Sequence, residues 1–236
     1  MANLEPLIQS IPVAPLKLAS LEGCRTLADQ VNNYLVSFRH ESPTNVGQAD
    51  SLQGYCADSY LLECECPRFG SGEGKGVLKE SVRGCDLFIM VDVTNYSLIY
   101  RVNGYENHMS PDNHYQDLKR IISAADGKAR RINVIMPFLY EGRQHKRSKR
   151  ESLDCALMLQ ELVDMGVSNI LTFDAHDPRV SNSIPLHGFD SFMPTYQFLK
   201  ALVNSVPDFV IDNDHLMIIS PDEGAMGRAV YFSNIL

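Results

Sequence analysis

Three short stretches concentrate the residue types that handle phosphate and metal. Arg143-Gln144-His145-Lys146-Arg147-Ser148-Lys149-Arg150 places five Lys or Arg in eight residues. Asp174-Ala175-His176-Asp177 sets a histidine among carboxylates, and Ser220-Pro221-Asp222-Glu223-Gly224 sets an acidic pair beside a glycine. A polyphosphate needs several cations that reach different oxygens, and an arginine can reach two at once. Carboxylates beside a polyphosphate repel it unless a metal lies between them. Mg²⁺ takes oxygen ligands and keeps most of its waters, so one or two protein groups suffice. His176, Asp174 and Asp222 are therefore candidates to touch Mg²⁺ directly or through water, in a phosphoryl-type transfer. Gly224 would let a phosphate approach backbone N–H groups at a helix start. Each stretch also has a plainer reading: the basic run as a solvated or nucleic-acid patch, His176 as a loop histidine, Asp174 as a cap or turn residue. A fourth stretch, Phe69-Gly70-Ser71-Gly72-Glu73-Gly74-Lys75-Gly76, reads equally as a phosphate-cradling loop or a hairpin tip. It is not a Walker loop, because no Gly-Lys-Ser/Thr closes it.

The elements that must position these stretches alternate in type. Leu21, Cys24, Leu27, Ala28, Val31, Leu35 and Phe38 have the spacing of an amphipathic helix, closed by the turn residues of Ser42-Pro43-Thr44-Asn45. Strands are predicted around Tyr60 to Cys64, over Asp86 to Val93, Ile132 to Met136, Asn169 to Phe173 and Leu216 to Ile219. Helices are predicted over Asn113 to Ala125, Leu153 to Met165, Thr195 to Val203, and from about Ala225 to the end. Near-continuous apolar strands alternating with helices imply an α/β fold whose parallel sheet is covered on both faces. The basic run, Asp174–Asp177 and Ser220–Gly224 each follow a strand, and open parallel sheets bind ligands at the carboxyl ends of their strands. That shared placement favours the functional reading over the plainer ones. The basic loop has no apolar residue to anchor it, so it should be mobile until a ligand orders it.

Composition narrows the field. The 236 residues carry 44% apolar and 21% charged side chains, the balance of a soluble globular protein. The longest apolar runs fall short of a membrane helix, and Met1 to Ser20 lacks the basic and apolar regions of a signal peptide, which points to the cytoplasm and to no membrane partner. The net charge of −8 disfavours nucleic acid as a general partner and makes any anion site local. Cys64 and Cys66 share one face if extended, and no second pair follows at zinc-ligand spacing, so they read as packing thiols. The first 18 or so residues are punctuated by proline and read as peripheral.

Residues Phe69 to Leu236 resemble the ribose-phosphate diphosphokinases (PRPP synthetases) in motif order and spacing. The family's Phe-x-x-x-Glu loop followed by Glu-Ser-Val-Arg-Gly appears as Phe69 to Glu73 and Glu80 to Gly84. Its Arg-Gln-Asp with a basic tail appears as Arg143-Gln144-His145-Lys146-Arg147. Its Asp-x-His appears as Asp174-Ala175-His176, and its Ser-Pro-Asp-x-Gly loop as Ser220 to Gly224, with Arg228-Ala229 beyond. The resemblance implies a phosphoribosyltransferase-like, Rossmann-like fold and transfer of diphosphate from Mg²⁺-ATP to ribose 5-phosphate, giving PRPP and AMP for nucleotide biosynthesis. It implies that Phe69, Ser71 and Glu73 contact adenine from a neighbouring subunit of a homo-oligomer. Arg143 and Gln144 would hold ATP, Lys146, Arg147 and Arg150 would touch phosphate, and His176 and Asp222 would coordinate Mg²⁺.

This sequence departs from the pattern at His145, where aspartate is usual, and at Ala225 and Gly227. The family's Lys-x-Arg loop and its Asp-Asp-x-x-x-Thr-Gly-Gly-Thr loop for ribose 5-phosphate do not occur among these residues. The expected organisation is an N-terminal extension with an amphipathic helix over residues 1–55, an α/β domain over 56–208, and the beginning of a second, incomplete domain of the same type over 209–236. The ribose 5-phosphate site is then incomplete, no catalytic residue is assigned, and the chain alone is expected to be inactive. The alternative is a non-catalytic regulatory relative that joins active subunits. A phosphoribosyltransferase proper is disfavoured by the missing Thr-Gly-Gly-Thr loop and by residues suited to ATP.

Overall fold

A computed structural model describes residues 12–41, 54–207, 209–212 and 214–236. The predicted turn at Ser42 to Asn45 and the domain boundary placed at Asp208 lie outside them. The chain divides into two compact units, Met1–Ser191 and Phe192–Leu236, each taken by itself below.

The first unit is built on a six-stranded sheet. Its strands are β1 (Leu16–Ser20), β2 (Leu61–Leu62), β5 (Asp86–Met90), β8 (Arg131–Ile135), β9 (Val167–Phe173) and β10 (Gly188–Phe192), in the order β10-β9-β8-β5-β1-β2. The pairs β1–β2, β1–β5, β5–β8 and β8–β9 are parallel, as the unbroken apolar runs required. Successive residues of β5 face opposite ways. Leu87 and Ile89 join the core under α2 (Pro111–Ala124) and α3 (Asp154–Asp164), while Phe88 and Met90 pack with Cys24 and Ala28 beside α1 (Arg25–Glu41). Both faces of the sheet are thus covered.

The helix ends follow local chemistry. Ser110 caps α2 by accepting from the Asn113 N–H, Pro111 occupies the first turn, and the left-handed pair Asp126 and Gly127 ends it. Gly166, with φ +93°, stops α3 and turns the chain into β9.

Two expectations change. The stretch read as peripheral supplies β1, which sits between β5 and β2, and the helix placed in an extension covers the sheet as α1. Prolines at 12 and 15 suggested a surface arm, but the apolar residues that follow them are few and lie just where a short strand suffices. The predicted strand at Leu216 to Ile219 is also not formed. The second unit consists of α4 (Thr195–Ser205), α5 (Met226–Ile235) and their connection. Among the described residues no strand pairs with that segment, and Met217 and Ile219 are exposed.

Short elements decorate the first unit. β3 (Cys64–Glu65) pairs antiparallel with β4 (Val77–Leu78), and β6 (Ile99–Val102) with β7 (Tyr105–His108) through an Asn103-Gly104 turn with both φ positive. A polar ladder crosses the large sheet: Asp86 accepts from Arg131 and from Asn133 Nδ2 (2.7 Å), and Asn133 Oδ1 accepts from Asn169 Nδ2 (2.5 Å). Cys64 and Cys66 donate to the Ser20 and Asp117 carbonyls, and burial pushes their thiols up to about 11 and about 12.

Candidate functional site

The basic loop leaves β8 through Pro137 and reaches Glu141, a non-glycine residue in the left-handed region at φ 55°. Burial, with Asp154 and Asp112 nearby, raises the Glu141 carboxyl above its usual range. The loop is closed at its base by polar bonds where no apolar anchor was available. Gln144 donates from its amide to the carbonyls of Ser152 (2.8 Å) and Lys146 (3.2 Å), and its own carbonyl accepts from the Cys155 N–H at the start of α3. Ser148 donates from its backbone and hydroxyl to Glu151. Arg143, Lys146, Arg147, Lys149 and Arg150 are exposed. Among the described residues, none of their side chains makes an ion pair or a hydrogen bond, so their charge is available to a ligand.

The loop after β9 starts at Asp174, which is also left-handed, at φ 42°. The Ala175 N–H donates to Ser191 Oγ (2.9 Å), fixing the turn, and His176 is exposed. Asp177 accepts from the Arg179 backbone N–H (2.9 Å), Nε (2.9 Å) and Nη2 (2.6 Å), and these bonds hold its carboxyl well below the usual carboxylate range. His145 Nε2 lies 3.5 Å from Asp177 Oδ2, and the His145 and His176 ring centroids are 5.1 Å apart. The structure therefore brings together the basic loop and the loop carrying Asp174 and His176.

Other expected site residues lie on other elements. In turn 69–73 the Phe69 N–H donates to the Glu73 carbonyl (2.7 Å) and Ser71 Oγ to Glu73 Oε2 (2.8 Å). Gly72 has φ +92°, and a Cβ there would come within 2.9 Å of Val102 on β6. The turn is held at its base by Arg68, which makes two bonds to Asp117 of α2 (2.6 and 2.8 Å). Phe69 is 54% exposed. Among the described residues, no hydrogen bond, ion pair or ring contact joins this turn to the basic loop. Asp222 belongs to the second unit, where its Oδ1 accepts from the Ala225 N–H (2.8 Å) ahead of α5. Among the described residues, no three His, Cys, Asp or Glu side chains are grouped to hold a metal ion by themselves.

One feature escaped the sequence reading. Val93, Thr94, Pro111, Phe138 and Tyr140 line a hollow of about 320 Å³ that Arg143 also borders. It opens just past the carboxyl ends of β5 and β8. The available signal was Phe138, an aromatic residue directly after a strand, which the structure leaves 45% exposed.

Residues 16–166 match the profile of the N-terminal domain of ribose phosphate pyrophosphokinase. The ribose-phosphate pyrophosphokinase of Staphylococcus epidermidis is 28% identical over 180 residues, and that of Staphylococcus saprophyticus 26% over 179. Each match takes in 75% of this chain and 50% of the relative, so the chain spans about half the length of the curated relatives it matches. Among solved structures, phosphoribosylpyrophosphate synthetase from Mycobacterium smegmatis matches with a TM-score of 0.68 at 20% identity, over 94% of this chain and 61% of that one. This last likeness is one of fold, and it agrees with the α/β architecture of the sheet. With a family profile matched across most of the sheet-bearing unit, the chain belongs to the ribose-phosphate pyrophosphokinase family, through that family's N-terminal domain.

Proposed function

We propose that this chain supplies the ATP-binding part of a ribose-phosphate diphosphokinase, which transfers diphosphate from Mg²⁺-ATP to ribose 5-phosphate with release of AMP. The observation that carries the reading is the loop 143–150: five exposed cations without a protein counter-charge among the described residues, set beside the loop of His176. In the reaction, the ribose 1-hydroxyl attacks the β-phosphorus in line, and AMP departs. Such a transfer needs positioning and charge rather than a covalent intermediate.

The residues divide that work. Arg143 closes one side of the apolar hollow, which has the size and lining for a flat base. Lys146, Arg147 and Arg150 are placed on the same loop to meet phosphate oxygens. His176 would offer one ligand to Mg²⁺, whose charge would neutralise the phosphates, and a single protein ligand suffices for a cation that keeps most of its waters. Asp222, in the second unit, is a separate candidate Mg²⁺ ligand carried by the resemblance alone. Phe69, Ser71 and Glu73 sit on a pre-formed turn apart from the basic loop, an arrangement suited to serving the nucleotide of a neighbouring copy in a homo-oligomer. Among the described residues no helix is long and apolar enough to cross a membrane.

The test is titration calorimetry of the 236-residue chain with Mg²⁺-ATP. Arg147→Ala should weaken binding about tenfold, the worth of one charge-assisted contact. Binding of adenosine should not change. Equal affinity for ATP in the variant and the parent would overturn the assignment of the loop. Release of AMP from ribose 5-phosphate and Mg²⁺-ATP by this chain alone should stay near the blank.

A further inference from the structure

We infer that His145, the residue at which this chain departs from the family pattern, latches the basic loop to the loop after β9 and so positions the cations. Within loop 143–150 the cationic side chains are exposed, whereas the His145 side chain is only 12% exposed. Its two ring nitrogens face two different parts of the site: Nδ1 is 3.1 Å from the Arg143 carbonyl, and Nε2 is 3.5 Å from Asp177 Oδ2. The first contact ties the ring to its own loop. The second crosses to the loop that carries His176, and it supplies the charge contact between the two loops. Asp177 is a fixed partner, because three bonds from Arg179 hold its carboxylate in place and its side chain is also 12% exposed.

The arrangement explains why histidine can stand where aspartate is usual. An aspartate at 145 would put a second carboxylate on the side of Asp177, and like charges repel. His145 is thus a positioning residue: it holds the loop of cations against the loop of His176. Protection by nucleotide rests on the ATP-binding reading proposed for this chain, and the latch itself does not.

Trypsin cuts after Lys and Arg, so loop 143–150 reports its own release. In the parent chain without nucleotide, cleavage at Lys146 to Arg150 should be slow. His145→Ala should speed it about fivefold or more at an unchanged melting temperature, and His145→Gln, which keeps a donor near the Nε2 position, should restore most of the protection. His145→Asp, the residue usual in the family, should release the loop more than alanine does, and His145→Asp combined with Asp177→Asn should close it again. Addition of Mg²⁺-ATP should protect the parent and the glutamine variant more than the alanine variant. Cleavage of His145→Asp no faster than the parent, or a failure of Asp177→Asn to reverse it, would overturn the latch. If His145→Asp lowers the melting temperature, the alanine and glutamine variants decide, and equal cleavage of those two overturns it as well. A latch that behaves in this way, with no nucleotide protection in any variant, would overturn the ATP reading alone.

Discussion

Asp117 offers the sharpest test of how turn 69–73 is held. Its carboxylate accepts two bonds from Arg68 and a third from Arg120 Nη1 (2.6 Å), and the Asp117 and Arg68 side chains are only 7% and 10% exposed. The Arg68 guanidinium also lies over the Tyr100 ring at 5.2 Å. In Asp117→Ala that guanidinium keeps its burial and loses its counter-charge. Breaking one side of a buried pair costs about 3–5 kcal/mol. Arg120, 20% exposed, can swing toward water and adds little to the loss. In a protein of this size each kcal/mol is worth roughly 2–4 °C, so the melting temperature should fall by about 10 °C. Urea unfolding followed by circular dichroism would give the energy from the midpoints at a shared slope. Replacing both partners, as Arg68→Met with Asp117→Leu, should recover most of the stability, because two apolar side chains of similar volume need no charge partner. A loss below about 1 kcal/mol for Asp117→Ala would show that water reaches Arg68 freely, and would refute the argument.

Two further substitutions probe the sheet and the approach to the basic loop. A Cβ at Gly188 of β10 would collide with the Asn169 side-chain oxygen. Gly188→Ala should therefore displace Asn169, leave Asn133 Oδ1 without its donor and cost about 2–3 kcal/mol, and adding Asn169→Ala should cost less than the sum of the two, as thermal melts would show. Glu141 has a raised carboxyl pKa in the fold, so the folded chain holds its proton more tightly than the unfolded chain does. Stability then falls as pH rises through the raised pKa, and Glu141→Gln should be the more stable form at pH 7, with the difference closing as pH drops below the ordinary glutamate range; denaturation midpoints compared at about pH 7 and pH 4 read it directly.

The elements most legible in the sequence were those whose burial is continuous. β5, β8 and β9 each hold a run of apolar residues beside the polar ladder, and α2 and α3 carry a cap or a glycine stop, so their bounds came out within a few residues. β1 was missed because it is five residues long and follows Pro12 and Pro15, and its strand character comes from pairing with β5 rather than from its own composition. The hairpin of β6 and β7 did carry its signal, Asn103-Gly104, but the flanking residues are polar and alternate weakly. Leu216 to Ile219 had the composition of a strand, and among the described residues no strand pairs with it. The site was legible where chemistry is crowded into one loop, as at 143–150 and 174–177. The contact that brings those two loops together was not, since His145 and Asp177 are 32 residues apart in sequence and neither is unusual alone.

Glu141 and Asp174 carry a last consequence. The basic loop and the loop after β9 are each entered through a left-handed residue. Handedness there sets the direction in which the chain departs, and it does so through the backbone, independent of the side chains beyond it. Direction and content are therefore written in different letters. Substitutions within 143–150 or 175–177 can exchange one charge pattern for another while the trajectory persists, whereas a β-branched residue at 141 or 174 would resist that backbone and redirect a whole loop with its cargo intact. In this chain the course of each loop and the charges it carries are thus set by different residues, and a substitution can alter one and spare the other.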